Sequence, residues 1–175
     1  TAVNTSPFEV SASGAVYKGN SDNLTIKIEE NTTVKLTLPG SQALGTDMNP
    51  KLTASTKLSS LNGGSGVQSG SILITDRAGN TGKFNITSSM TIDNVITTIS
   101  TMSNITASIN SAGNGITLTD TSSLIANSLT VSEVDGGTTA ASLGILGKKD
   151  GNIVGADLDA TLSTDTLISD LYDGE

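Results

Sequence analysis

Residues 61–86 read LNGGSGVQSGSILITDRAGNTGKFNI, and this stretch decides the fold. Ile72 and Ile74 alternate with other residues, which is the pattern of a strand with one buried face. The DRAGN that follows predicts a tight turn, because Gly and Asn accept turn conformations that other residues avoid. Phe84 and Ile86 then repeat the alternation. We therefore predict an antiparallel hairpin here.

An amphipathic helix is predicted directly after the hairpin, at TIDNVITTISTM. The apolar residues of this stretch recur at spacings of three and four, which places them on one face of a helix: Ile92, Val95, Ile96, Ile99 and Met102. Thr91 is a good N-cap, because its hydroxyl can accept a hydrogen bond from an amide of the first turn. We therefore predict one helix, at about residues 91–102, packed on a sheet face.

The pattern divides the chain into three regions. Residues 1–44 are a small β-rich subdomain, in which LTIKIEENTTVKLTLPG predicts a hairpin with one apolar face per strand. Residues 45–146 are a β-β-α-β-β-β module, with later strands near 105–109, 116–118 and 129–134 and a short helical turn near 138–143. Residues 147–175 are the start of a second repeat, or a segment that returns to the first unit. The predicted fold class is α+β, predominantly β, with small antiparallel sheets.

Two segments of the chain, 110 residues apart, have similar sequences. GTDMNPKLTASTKLSSLNGGS begins at Gly45, and GADLDATLSTDTLISDLYDGE begins at Gly155, with matching Gly, Asp, Leu, Thr and Ser positions. Chance similarity in a Ser- and Thr-rich chain is one explanation. The interpretation we favour is that each copy introduces a module, so the chain is expected to be a fragment of a longer protein.

Composition narrows the possible functions. The formal net charge is −8 and the nine Lys and Arg residues are scattered, so neither nucleic acid nor an anionic membrane is an expected partner. Cys and His are both absent, which removes thiolate chemistry, the usual general base and the commonest neutral metal ligand. We therefore predict no enzyme activity and assign no catalytic, cofactor-binding or metal-binding residue.

Three possible sites were weighed against simpler explanations. The glycine-rich segment at residues 63–70 precedes a strand and lacks the Gly-Lys-Ser/Thr ending, so a flexible turn is favoured over a phosphate-binding loop. Glu29 and Glu30 are adjacent on or beside a strand, where a pleat would point them to opposite faces, unlike a glycosidase pair. The acidic residues do not follow the spacing of a known calcium-binding motif. They cluster at two places: Glu133 with Asp135, and Asp157 with Asp159.

The sequence of residues 61–145 resembles the flagellin hook IN motif, which is found in outward-facing domains of bacterial flagellar axial proteins. LSSLNGGSGVQSGSILITDRAGNTGKFNI is similar to the opening strands of that motif, and TIDNVITTIS is similar to its helix. ITASINSAGNGITLTDTS and LTVSEVDGGTTAASLGI are similar to its closing strands. Ahead of them, YKGNSDNLTIKIEENTTVKLTLPGSQALGT resembles the outer domain of the hook-associated protein type 3 family, the hook–filament junction proteins.

The resemblance implies a structural domain on the outside of the bacterial flagellum, exported by the flagellar type III apparatus. It implies partners among the other axial proteins, hook-associated proteins and flagellin, through terminal polymerisation helices of the parent protein that this sequence lacks. The isolated chain is then expected to be a monomer. Flagellin and the filament cap protein carry related modules and stay open as alternatives, as does an extracellular adhesin-like binding module.

Overall fold

The computed structural model describes residues 8–11, 14–19, 24–37, 49–162 and 171. Over these residues the fold is α+β and predominantly β, which confirms the predicted class. Every pair of described strands is antiparallel, in two two-stranded hairpins, one three-stranded sheet and one four-stranded sheet.

The two hairpins belong to the first region of the chain. The first consists of β1 (Phe8–Ser11) and β2 (Gly14–Tyr17), and the second of β3 (Thr25–Glu29) and β4 (Thr32–Lys35). The second hairpin is where the sequence predicts it. Its apolar side chains are 42% to 67% exposed, so they add nothing to the core of the larger body: Leu24, Ile26, Ile28, Val34 and Leu36.

The four-stranded sheet is built around the predicted central hairpin. That hairpin consists of β5 (Gly70–Thr75) and β6 (Thr81–Ile86), with Ile72 opposite Phe84. The remaining two strands, β9 (Leu129–Glu133) and β10 (Gly147–Lys149), complete the sheet in the order β10-β9-β5-β6.

The three-stranded sheet has the order β11-β8-β7, from β7 (Ile105–Ile109), β8 (Ile116–Asp120) and β11 (Ile153–Val154). Strands β10 and β11 both lie after residue 146, where the sequence placed the end of the module. Leu158 and Ala160 are also buried in the common core. The body therefore continues to at least residue 160. A second repeat beginning in this region stays a prediction, because residues 163–170 and 172–175 lie outside the described residues.

The predicted helix is present but shorter than expected. Helix α1 (Ile92–Ile99) begins with a capping box, in which Thr91 Oγ1 accepts from the Asn94 amide and Asn94 Oδ1 accepts from the Thr91 amide. It ends before the predicted residue 102 because the Met102 amide donates to the Ile99 carbonyl, in a turn that leads into β7. The helix buries Ile92, Val95 and Ile99 against strands β6 and β7.

One aliphatic core holds the two larger sheets together. It is made mainly of Ile, Leu, Val and Ala, with Phe84 as its aromatic member among the described residues. The 3-10 turn Leu58–Ser60 adds the fully buried Leu58. Leu61, between this turn and a second one at Asn62–Gly64, is also fully buried. The short helix α2 (Thr139–Ser142) occupies the predicted place of a helical turn.

Candidate functional site

The glycine-rich loop before β5 is fixed by hydrogen bonds. The amides of Gly66 and Val67 donate to preceding backbone carbonyls at 2.9 and 3.0 Å. The Asn62 side chain donates to the carbonyls of Gly66 and Ser142 at 3.1 and 2.9 Å. Because these amides are used inside the protein, the loop does not present them to a phosphate group. The sequence favoured a flexible turn here, and the structure shows a tied one.

The acidic residues weighed in the sequence are mostly used by the fold itself. Glu29 and Glu30 are exposed beside the turn of the second hairpin. Glu133 accepts a hydrogen bond from a backbone amide of α2 at 2.8 Å. Asp157 accepts from the Asp159 amide at 2.8 Å. In the part of the chain that the structure describes, no three acidic, His or Cys side chains are grouped to hold a metal ion.

The carboxylate of Asp76, which the sequence placed in a simple turn, is completely buried. It accepts hydrogen bonds from the amide and the side chain of Asn80, both at 2.8 Å, and from the side chain of Asn104 at 2.8 Å. Burial alone would raise the pKa of this carboxyl group. The hydrogen bonds from Asn80, Asn104 and the Ala78 backbone outweigh burial, so the pKa of Asp76 lies below its usual value.

A second buried carboxylate, Asp120, organises the neighbouring loop. It accepts from the Arg77 amide at 2.7 Å and from the Ser122 amide at 2.8 Å. The guanidinium of Arg77 lies 3.7 Å from the same carboxylate and donates to the Asp120 carbonyl at 2.8 Å. Burial raises the pKa of Asp120, but the hydrogen bonds from Ser122 and Arg77 and the charge of Arg77 lower it by more than burial raises it. The pKa of Asp120 therefore lies below its usual value.

These two carboxylates join the β5–β6 turn to the ends of β7 and β8. The contacts of the two carboxylates go to backbone amides, to the side chains of Asn80 and Asn104, and to the guanidinium of Arg77. We interpret the network as structural. Sequence patterns alone did not reveal it, since Arg77 precedes its partner Asp120 by 43 positions.

An open cleft of about 450 Å³ lies on the outer face of the four-stranded sheet. Thr75, Thr130 and Lys148 lie side by side on β5, β9 and β10, because Thr130 is opposite both of the others in the strand register. The segment that precedes β9 forms one wall, and a residue just after β10 completes the lining: Ile125, Ala126, Asn127, Ser128 and Asp150.

The wall of this cleft is tied to the buried network. The amides of Ala126 and Asn127 both donate to the Arg77 carbonyl at 2.9 Å. Ser128 donates its hydroxyl to the carboxylate of Asp150, which links the wall to the turn after β10. Sequence patterns did not indicate the cleft, because its lining comes from three separate stretches of the chain: Thr75, residues 125–130 and residues 148–150.

A comparison of this chain with known protein families, characterised proteins and solved structures finds no match. None of the helices within the described ranges is long and apolar enough to cross a membrane.

Proposed function

We propose that this chain is the surface-exposed domain of a bacterial flagellar axial protein, the hook–filament junction protein, with a structural role and no catalytic activity. The observation that carries the proposal is that the two ends of the body meet. The Asn62 amide donates to the Leu158 carbonyl at 2.6 Å, and the Thr161 amide donates to the Ser60 carbonyl at 2.9 Å.

A second contact brings the same two segments together. The side chain of Asn49, at the start of the described body, donates to the carboxylate of Asp159 at 2.9 Å. A domain whose chain arrives and leaves at one place can be inserted into a larger subunit without disturbing it. This geometry suits a domain that projects from a tube wall formed by other parts of its parent.

The order of elements also supports the proposal. The stretches that resemble the flagellin hook IN motif coincide with successive parts of one body: the β5–β6 hairpin, helix α1, the β7–β8 hairpin, and strand β9 with helix α2. These parts share a single core. The segments that resemble the flagellin hook IN motif therefore belong to one folded unit.

In this proposal the domain acts by steric and electrostatic means. Its net charge of −8 keeps the outer surface of the assembly soluble. Contacts with other hook-associated proteins and flagellin are made through terminal helices of the parent protein, and export follows the flagellar type III route. The isolated domain is a monomer that binds neither nucleic acid nor membrane. Flagellin and the filament cap protein are the alternatives that keep the same outward display.

Excision of the body in the parent protein tests this proposal. Replacing residues 49–161 with a short Gly-Ser linker should leave assembled appendages that can be sheared from cells and collected by sedimentation. The matched control removes residues 49–120, which deprives β9 of β5 and β11 of β8 and should abolish assembly through misfolding. Failure of both deletions alike, or recovery of the intact protein only with the cell envelope, would argue against an inserted outer domain.

A further inference from the structure

We infer that the cleft on the outer face of the four-stranded sheet binds a neutral saccharide unit of a glycan. This inference is independent of the proposed function, because it rests on the geometry and chemistry of the cleft alone. The volume of about 450 Å³ lies in the ~300–1,000 Å³ range of small-molecule sites.

The lining matches the hydrogen-bonding character of sugar hydroxyl groups. A hydroxyl both donates and accepts, so it needs partners of both kinds. The hydroxyl groups of Ser128 and Thr130 donate to the Asp150 carboxylate and to the Ser128 carbonyl, so their oxygens are left to accept hydrogen bonds from a ligand. The polar lining as a whole consists of three hydroxyls, one amide, one ammonium and one carboxylate: Thr75, Ser128, Thr130, Asn127, Lys148 and Asp150. The single positive and single negative group balance each other, which favours a neutral ligand over an ionic one.

An apolar contact for the sugar ring is provided by Ile125. Its side chain is 67% exposed at the cleft wall, and that of the adjacent Leu124 is 63% exposed. Large aliphatic side chains of the body are otherwise mostly in the core. A pyranose ring presents C–H groups on its faces as well as hydroxyls at its rim, so one ring can cover Ile125 and still reach the polar lining.

The cleft is already formed before any ligand binds. Its wall is held by two hydrogen bonds to the Arg77 carbonyl, and Arg77 is held in turn by the buried Asp120. Within the described part of the chain, the ammonium group of Lys148 makes no hydrogen bond or ion pair, so its three donors are available. A preformed site loses less conformational entropy on binding, which favours even a small ligand.

The test is a titration of the ¹⁵N-labelled full chain, followed through the backbone amide resonances. The probes are the methyl glycosides of glucose, galactose, mannose and N-acetylglucosamine, with acetate and ethylamine as charged comparisons. We expect saturable shifts at Asn127, Ser128 and Lys148 with at least one glycoside, and a dissociation constant of about 1 mM, which is usual for weak small-ligand sites.

Variants distinguish the cleft from other surfaces. Lys148→Gln and Asp150→Asn each remove a charge from the lining and should weaken binding about tenfold or more, because charged hydrogen bonds are stronger than neutral ones. Both side chains are exposed, so these variants should still fold. Lys149→Gln is the matched control, since Lys149 is exposed and pairs with Leu129 on the opposite face of β10. It should bind as the parent does.

Three results would overturn the inference. One is the absence of saturable shifts in the cleft with every glycoside. Another is binding that is equally strong in Lys148→Gln, Asp150→Asn and Lys149→Gln. The third is saturation of the cleft by acetate or ethylamine in place of the glycosides, since this would make the ligand an ion.

Discussion

Replacement of Gly155 with alanine should destabilise the body by breaking the contact between β11 and β8. The Gly155 amide donates to the Ile116 carbonyl at 2.9 Å. A Cβ atom at Gly155 would lie 2.5 Å from the Ile116 carbonyl oxygen and 3.2 Å from the Ile116 nitrogen. Both are backbone atoms of β8, so no side-chain rotation can relieve the clash. The third neighbour, Ile145 Cγ2, would be at 3.3 Å.

The expected magnitude follows from three effects. Overpacking against fixed atoms costs about 1–3 kcal/mol. Separation of the strands also weakens the Gly155–Ile116 hydrogen bond, at about 1 kcal/mol. Alanine restricts the unfolded chain, which offsets about 0.5–1 kcal/mol. The net decrease in the free energy of unfolding is about 2 kcal/mol, or about 6 °C in Tm for a chain of this size.

Thermal unfolding followed by circular dichroism measures this change. The control is Gly151→Ala, because a Cβ atom at Gly151 has nothing within 4 Å. Its Tm should stay equal to that of the parent or rise slightly, since only the unfolded chain is restricted. Equal melting of Gly155→Ala and Gly151→Ala would refute the close approach of β11 to β8.

Three further predictions concern the core and the buried carboxylates. Ile99→Asp should unfold the body, at a cost of about 4 kcal/mol or more, because it places a charge at a fully buried position. Ile96→Asp should be less destabilising, because Ile96 is only partly buried, and urea unfolding compares the two variants. Asp120→Asn replaces one accepting oxygen with an NH2 group that faces a backbone amide, so the free energy of unfolding should fall by about 3 kcal/mol. Asp135→Asn is the control, because Asp135 is exposed, and its free energy of unfolding should not change in the same assay. The pKa of Asp76 is lowered in the folded protein, so the stability that its charge contributes is complete above the unfolded pKa of about 3.9 and is lost as the pH falls through the folded pKa. Asp76→Asn should therefore reduce the fall in Tm between about pH 5 and about pH 2. An unchanged dependence of Tm on pH would contradict this.

Local patterns were sufficient for the centre of the fold. The β5–β6 hairpin and the start of α1 depend on residues close in sequence, such as Thr91 with Asn94, and these were predictable. The strands β10 and β11 were not predicted, because they are three and two residues long and carry little periodicity. Their pairing depends on distant partners, as at Gly155, where the close approach of β8 leaves no room for a side chain.

The candidate sites were harder to predict than the fold. Asp76 and Asp120 look like ordinary turn residues, because burial and the partners that lower the pKa arise only when β5, β7 and β8 come together. The cleft is similar, since its lining spans Thr75 to Asp150. The sequence could indicate neither a polar row across three strands nor the loop that encloses it.

Immunogold electron microscopy of intact cells, with antibodies raised against this chain, tests the proposed flagellar display most directly. We expect a narrow band of label where the hook meets the filament. Label along the whole filament would assign the chain to flagellin, and label at the distal tip would assign it to the cap protein, with the outward display unchanged. Label over the cell body, with none on flagella, would contradict the flagellar proposal and favour the adhesin-like alternative.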